Sequence, residues 1–442
     1  MTEIHVLHHL HQLISKGFAV CTDSRQAGTG SIFFALKGDR FNGNLFALNA
    51  LENGCEAVVV DEPVGQNNSK IIQVDSVLQT LQMLGLHHRQ QFSIPVIGLT
   101  GSNGKTTTKE LIHKVLSSSF NTLATQGNLN NHIGVPLTLL RLNTQHEIAI
   151  VEMGANHVGE IALLSQLAQP THGLITNIGK AHLEGFGSVE NILLGKTELY
   201  RHIQSKQGTL FVNGNNEKLM TQSEDISRVL FGTADHNHLT AILIDERPML
   251  KIAFSVRKSF GKAEVGNAGI CSTQLVGAYN FENVLAALTI GLFFGVAPHA
   301  AAQAIESYQP ANSRSQIVEN GKNTILLDAY NANPTSMAAA LQNFAGFGKT
   351  PRAALLGDML ELGIASREEH QQIANLAQKL DFDLTILVGK EFSHIAIPSG
   401  NFQKFDSVEQ ARDWLKQNPL LGYHVLVKGS RGIKMEKSLD VL

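Results

Sequence analysis

Residues 98–116, GLTGSNGKTTTKELIHKVL, set a run of small residues directly ahead of a helical pattern, a spacing suited to holding phosphate. A strict phosphate-loop motif places its first glycine five residues before the second; here that position is Leu99, with Gly98 one place too early. The remainder, Gly101, Ser102, Asn103, Gly104, Lys105, Thr106 and Thr107, still supplies what the chemistry needs. Backbone N–H groups and a helix N-terminus face the phosphates, Lys105 reaches their outer oxygens, and the Thr106 hydroxyl can ligate Mg²⁺. An ordinary glycine-rich turn is the plain alternative, but Gly-Lys-Thr between a strand and a helix is an uncommon way to make one.

A nucleotide-bound Mg²⁺ needs a carboxylate from a neighbouring strand, and EIAIVEMGAN puts Glu152 at the end of an apolar run. Glu147 begins that run and reads as solvated; for Glu152 the alternative is a helix-capping acid. The next apolar run, in GLITNIGKAHLEGFGS, ends in polar groups at the same edge and carries His182. Because Mg²⁺ prefers oxygen, a lone histidine reads first as an outer-sphere or surface group. Lys196, in LLGKTELY, reads first as a solvated lysine in a helical segment with Glu198.

The elements that must carry these groups follow an α/β pattern. At 442 residues the chain exceeds what one core usually serves, so two or three domains are expected. The first eighty or so residues alternate SIFFAL, EAVVV and KIIQV with helical stretches, giving a small N-terminal α/β domain over 1–84. VIGLT then opens a central domain, 85–312, in which apolar strands alternate with helices as in a parallel sheet covered on both faces. The turn-rich YQPANSRSQ marks a second linker, and TILLD, AALLG, LTILVG and HVLVKG form a doubly wound, Rossmann-like C-terminal domain over 313–442.

Composition narrows the class. Hydrophobic residues make up 43%, charged residues 17%, and the formal net charge is -3, as in a globular enzyme; no basic excess argues for nucleic acid. Cys21, Cys55 and Cys271 are few, odd in number and far apart, and read as reduced core thiols. The opening MTEIHVLHHLHQLI lacks a basic segment before an apolar one, and the apolar stretch Leu285–Ala297 is too short to span a bilayer, so a cytoplasmic location is expected.

TGSNGKTT, the EMG tripeptide, NIGKAHLEGFGS and YNFENVLAAL together resemble the Mur ligase family of ATP-dependent amide-forming enzymes, over essentially the whole chain. Within it, DAYNANPTSMAAAL, LGDMLELG and LVKGSRG resemble the branch that adds D-alanyl-D-alanine to a UDP-N-acetylmuramoyl-tripeptide; TDSRQAGTGSIFFALKGDRFNG fits as well. The resemblance implies ATP and Mg²⁺ as cofactors, those two small molecules as substrates, an acyl-phosphate route and a monomer. It implies that His182 ligates a second Mg²⁺ and that Lys196 is carbamylated: a neutral amine can capture CO₂ and become an anionic oxygen ligand.

It implies further that Asn280 and Asn283 meet the nucleotide base region, and that Arg314 and Asp328 reach ATP from the linker and C-terminal domain. Without the family, Asn280 and Asn283 are one helical turn apart and could equally cap or decorate a helix. Asn128, Asn130 and Asn131 in GNLNNHIGVP resemble a wall of the peptide cleft, with a plain turn cluster as the alternative. Asn331 and Asn333 are candidate substrate contacts, and Ser24, Arg25 and Lys37 are candidates for the uridine nucleotide. One departure stands out: an Asp-Gly-His-like run is expected in the N-terminal domain, and Asn42-Gly43-Asn44 occupies its place. A folate-type sibling ligase, a regulatory switch protein and a catalytically dead nucleotide-binding scaffold are the competing readings. The second should carry an Asn-Lys-x-Asp segment, which the chain lacks, and the third would have lost Lys105, Glu152 or Lys196.

Overall fold

Val96–Thr100 is buried at every position, as an apolar run in the middle of a doubly covered sheet must be. A computed structural model describes residues 3–65, 68–246, 249–311, 313–348, 351–397 and 399–442. Val96–Thr100 lies parallel between Ile148–Glu152 and His172–Ile175, with Leu99 beside Glu152 and Thr100 beside Ile175. That register makes the phosphate-loop candidate, Met153 and Thr176 leave the sheet at one edge, where ligands of open α/β sheets bind.

Among the described residues these strands belong to a nine-stranded sheet. Apolar clusters fill both faces, one centred on the helices Lys105–Leu116 and Phe281–Phe294, the other including Ile161, Leu164 and Leu199. At the far side the expected parallel alternation gives way to antiparallel pairing of Leu239–Asp245, Lys251–Val256 and Ala268–Ser272. The reason is local: the connections there are too short to hold the crossover helix that parallel neighbours need.

A four-stranded parallel sheet made by Ala19–Cys21, Ser31–Phe34, Ala57–Val60 and Ile71–Gln73 forms the N-terminal unit. The helix Val77–Arg89 runs unbroken across the expected junction at residue 84 and packs on both Glu3–Ser15 and Gly134–Leu139. Its last residue, the buried Arg89, donates to the carbonyls of Phe92 (2.5 Å) and Ala168 (3.0 Å), riveting this unit to the central one. The second expected junction falls on Asn312, which lies outside the described residues.

Among the described residues the C-terminal sheet has six strands, Thr324–Asp328, His424–Lys428, Arg352–Gly357, Leu384–Val388 and Phe402–Phe405 running parallel and Gln316–Glu319 antiparallel at one edge. Fold class thus agrees with the strand pattern: three α/β units, the central one carrying the phosphate-loop candidate. Cys55 and Cys271 are buried free thiols and Cys21 is half-buried. Among the described residues no helix is long and apolar enough to cross a membrane.

One half-buried titratable group gives a stability prediction. His172 packs against Phe211, Phe293 and Phe294, and burial pushes its imidazole down from 6.5 to about 4. The folded chain holds the ring neutral, whereas the unfolded chain takes up a proton below 6.5. The contribution is therefore complete above that pH and is lost as the pH falls toward 4. His172→Phe should flatten the fall in urea midpoint between pH 7 and pH 5; an unaltered pH dependence would contradict this account.

Candidate active site

The loop between Val96–Thr100 and Lys105–Leu116 is held open by backbone geometry. Gly101 and Gly104 have φ of 148° and 78°, in the range that glycine adopts most readily. Ser102 N–H donates to the Asn177 carbonyl (3.0 Å), Asn103 N–H to Asn177 Oδ1 (3.0 Å), and the Ser102 hydroxyl to the Gly179 carbonyl (3.0 Å). The helix starting at Lys105 has no side-chain cap, so its first-turn N–H groups face the cleft without one. Lys105 Nζ folds back onto the carbonyls of Gly101 (2.7 Å) and Ser102 (3.3 Å).

Thr106 and Glu152 meet as their positions on helix and strand require: Thr106 Oγ1 donates to Glu152 Oε1 at 3.2 Å, and Asn130 Nδ2 donates to the same oxygen at 2.8 Å. Glu152 is 1% exposed, and its second oxygen, Oε2, has no partner. It is therefore not a helix cap but a buried carboxylate with a lone pair set free beside the loop. Among the described residues no group of three or more His, Cys, Asp or Glu side chains is gathered to hold a metal. Thr106 Oγ1 and Glu152 Oε2 suit a Mg²⁺ that takes its remaining ligands from phosphates and water, which is how Mg²⁺ is usually held beside a nucleotide.

Asn280 and Asn283 are both buried, which rules out surface decoration. Asn283 Oδ1 accepts from Thr108 Oγ1 (3.0 Å), its Nδ2 donates to Asn280 Oδ1 (2.9 Å), and Asn280 Nδ2 donates to the Val276 carbonyl (2.9 Å). This chain ties Phe281–Phe294 to the phosphate-loop helix. A Cβ at Gly104 would lie 2.7 Å from Asn283 Oδ1. Gly104→Ala therefore combines left-handed backbone, costing about 1–2 kcal/mol, with displacement of Asn283. We expect at least tenfold weaker ATP binding by isothermal titration; unchanged affinity would mean that the loop tolerates the shift.

Two positions depart from their first reading. Lys196 ends the helix Val189–Lys196 with 0% exposure, its Nζ without a hydrogen-bond partner and 5.5 Å from the Phe186 ring centre. It is not a solvated lysine, and Glu198 is spent elsewhere, accepting from the N–H groups of Gly159 (2.7 Å) and Ala162 (2.8 Å). Burial, with Lys105 adding to it, pushes the Lys196 amine well below the ordinary lysine range; Glu160 acts in the opposite sense. His182, in left-handed backbone (φ 54°), hydrogen-bonds through Nδ1 to Glu361 of the C-terminal domain.

That domain closes over the loop. Asn333 caps the helix Pro334–Phe344 by accepting from Ser336 N–H (2.9 Å), and its Nδ2 donates to Asn103 Oδ1 at 2.7 Å. Lys180 pairs with Glu369 at 2.6 Å. Asp328, at the end of its strand beside Lys428, accepts from Lys428 Nζ (2.6 Å) and from Ser315 N–H (3.2 Å). Arg314 lies 3.6 Å from the centre of the Tyr330 ring, with Arg431 at 5.1 Å.

The result is one cleft of about 1010 Å³. It is lined by 102–107 of the loop, by Glu152, His182, Asn280 and Asn283, by Asn128, Asn130 and Asn131, and by Arg314, Asp328, Asn331 and Asn333 from across the junction. Gly101 lies behind this surface, and Lys196 is not part of it. Within the asparagine loop, Asn131 Oδ1 caps the next turn by accepting from Ile133 and Gly134 N–H (3.1 and 2.9 Å), so the turn reading holds for that side chain.

Ser24, Arg25 and Lys37 do not line the cleft. Arg25 is exposed and paired with Asp23 (2.6 Å), and Lys37 pairs with Asp61 (3.0 Å) and Glu62 (3.2 Å). Asn42 and Asn44 join that last network, donating to Glu62 and Asp61 respectively, both at 2.8 Å. Residues not singled out from sequence also converge here: Asn177, Tyr330, Glu361, Lys428 and Arg431. Each sat inside a motif that had been noted, but nothing in spacing indicates which side chain turns inward.

Three family descriptions match successive segments: the Mur ligase family catalytic domain at 19–89, the Mur ligase middle domain at 99–291, and the Mur ligase glutamate ligase domain at 313–431. A protein of Bacillus subtilis (strain 168) named UDP-N-acetylmuramoyl-tripeptide--D-alanyl-D-alanine ligase is 36% identical over 437 residues, covering 95% of this chain and 91% of its own. The chain belongs to the Mur ligase family. Solved structures agree: this Mur ligase superposes on MurF from Acinetobacter baumannii with a TM-score of 0.85 at 30% identity, and on MurF of Thermotoga maritima in complex with ADP with 0.84 at 26%. Each comparison covers 97% of both chains.

Proposed function

We propose that this Mur ligase uses ATP to join D-alanyl-D-alanine to UDP-N-acetylmuramoyl-tripeptide. The observation that carries the reading is the cleft, in which a phosphate loop and a buried carboxylate face polar side chains of a second α/β domain. Relatives named for this activity, and one that binds ADP, match along nearly the whole chain.

A carboxylate resists attack by an amine, and phosphorylation turns its oxygen into part of a leaving group. The tripeptide's terminal carboxylate attacks the γ-phosphorus of ATP, releasing ADP and forming an acyl phosphate. The neutral amine of the dipeptide then adds to the acyl carbon; the tetrahedral adduct expels phosphate, and the nitrogen loses a proton. Loop N–H groups and Lys105 hold the transferred phosphate, and Asn280, Asn283, Arg314 and Asp328 hold the rest of the nucleotide. Thr106 Oγ1 and Glu152 Oε2 would hold one Mg²⁺, with His182 and a carbamylated Lys196 assigned to a second. Mg²⁺ bound there neutralises charge on the phosphate oxygens. Asn128, Asn130, Asn131, Asn331 and Asn333 would line the peptide path, and Ser24, Arg25 and Lys37 would meet the uridine nucleotide.

We place the end of the N-terminal unit after Arg89 rather than at residue 84, because Val77–Arg89 is one helix. The cytoplasmic monomer expected from sequence remains part of the proposal. The test is phosphate release with ATP, Mg²⁺, UDP-muramoyl-tripeptide and D-alanyl-D-alanine, omitting each in turn. Release that needs all four, with a pentapeptide product by mass, supports the reading. Release that proceeds without the dipeptide, or only with another amine, moves the chain to a sibling activity.

A further inference from the structure

We propose that Glu361 is a positioning residue, delivered by the C-terminal domain, whose carboxylate fixes the imidazole of His182 with its proton on Nδ1 and Nε2 left unprotonated. The proposal deepens the reading above, since it gives His182 a defined orientation within the same cleft.

His182 Nδ1 and Glu361 Oε2 are hydrogen-bonded. An ionised carboxylate only accepts, so the ring nitrogen facing it must donate. In the neutral ring the other nitrogen then carries the lone pair, the arrangement by which an outer partner orients a histidine that acts through its second nitrogen. Both residues line the cleft.

The backbone is built to hold this contact. Glu184 N–H donates to the Glu361 carbonyl at 3.0 Å, pinning the C-terminal segment to the turn that follows His182. His182 and Glu361 both adopt left-handed backbone, with φ of 54° and 64°. Neither is glycine, so each conformation is unfavourable by itself and persists because its surroundings enforce it. Stability gives no reason for that: the Glu361 side chain is 52% exposed, and exposed pairs contribute on the order of 0–1 kcal/mol. Docking alone gives no reason either, because Lys180–Glu369 already bridges the same junction with a better buried acid, 8% exposed.

The experiment compares Glu361→Ala, Glu361→Gln and Lys180→Ala in the full-length protein. The His182 tautomer is read by ¹⁵N NMR of histidine-labelled protein without substrates, with His182→Gln for assignment. Steady-state phosphate release is measured alongside. The wild type is expected to show the Nδ1–H form. Glu361→Ala should move the proton toward Nε2 and lower kcat by about 10–100-fold, with the KM for ATP changed by less than about threefold. Glu361→Gln, whose amide oxygen still accepts, should keep the Nδ1–H form and recover part of kcat. Lys180→Ala should leave the tautomer as in the wild type.

An Nε2–H ring in the wild type would overturn the proposal without any variant. So would Glu361→Ala and Lys180→Ala having equal effects on kcat, which would reduce Glu361 to a latch. The tautomer is read without turnover, so absence of ligase activity would sink the proposed function while leaving this inference decided on its own.

Discussion

Lys105→Ala is expected to lower ATP-dependent phosphate release by on the order of 10³-fold, the scale on which removal of a preorganised charge-stabilising group acts. Two observations place the amine for that effect. It is held by the carbonyls of its own loop, Gly101 and Ser102, at 2.7 and 3.3 Å, so phosphate oxygens need only replace two neutral acceptors. Lys105 is also half-buried in the cleft wall: desolvation there pulls the amine below the ordinary lysine range, with Glu152 opposing and Arg314 reinforcing the shift. A cation in such a place interacts with developing charge through little intervening water. Lys105→Arg should not rescue, because a planar fork cannot take the position of a compact ammonium in a loop this tight. Thermal midpoints of both variants should stay near the wild type, since neither removes packing. A variant that kept more than a tenth of the rate would show that the loop, not the lysine, bears the phosphate charge.

Lys196→Ala should be nearly inactive, with part of its activity restored by short carboxylates such as acetate. The reasoning begins from an anomaly, a lysine 0% exposed whose Nζ has no hydrogen-bond partner. Leaving an ammonium there would be costly, so the neutral amine is favoured, and a neutral amine can add to CO₂. On the proposed reading the nitrogen would bond to the carbon, a proton would leave, and the carbamate would put two oxygens in place of an orphaned donor. Acetate entering the space vacated in Lys196→Ala would return similar oxygens. Lys196→Met separates chemistry from packing: it should fold at least as well as the wild type, because it removes an unpaired buried amine at nearly constant volume, yet remain inactive. ¹³C NMR of protein equilibrated with labelled bicarbonate should show a carbamate resonance absent from Lys196→Met. Near-normal turnover in Lys196→Ala would end the carbamate role.

Some of the site was legible because it is local. The phosphate loop is a strand, a glycine turn and a helix within the 21 residues from Val96 to Leu116, and its groups are close in space because they are close in the chain. Glu152 was legible through strand periodicity, since an acid ending a fully apolar run has to emerge at the sheet edge. Asn131 shows the limit of that approach, for its side chain caps a turn while Asn130, one residue earlier, bonds the buried carboxylate. Adjacent residues of one type were separated only by the direction the backbone gave them. Arg25 and Lys37 show it again, for each is engaged by acids of its own domain, away from the cleft.

What the sequence by itself determined, then, was the α/β class, the presence of the strands TILLD, AALLG, LTILVG and HVLVKG, and the phosphate loop, because periodicity and turn chemistry act over a few residues; that HVLVKG sits between TILLD and AALLG in the sheet was settled by tertiary pairing. Only the tertiary structure decided that Lys196 is sealed from solvent, that Asn333 reaches Asn103, and that Glu361 holds His182. These depend on contacts between residues 179 or more positions apart in the two pairings. Burial and long-range hydrogen bonds are properties of packed layers, and no local pattern encodes which side chain of one domain will meet the loop of another.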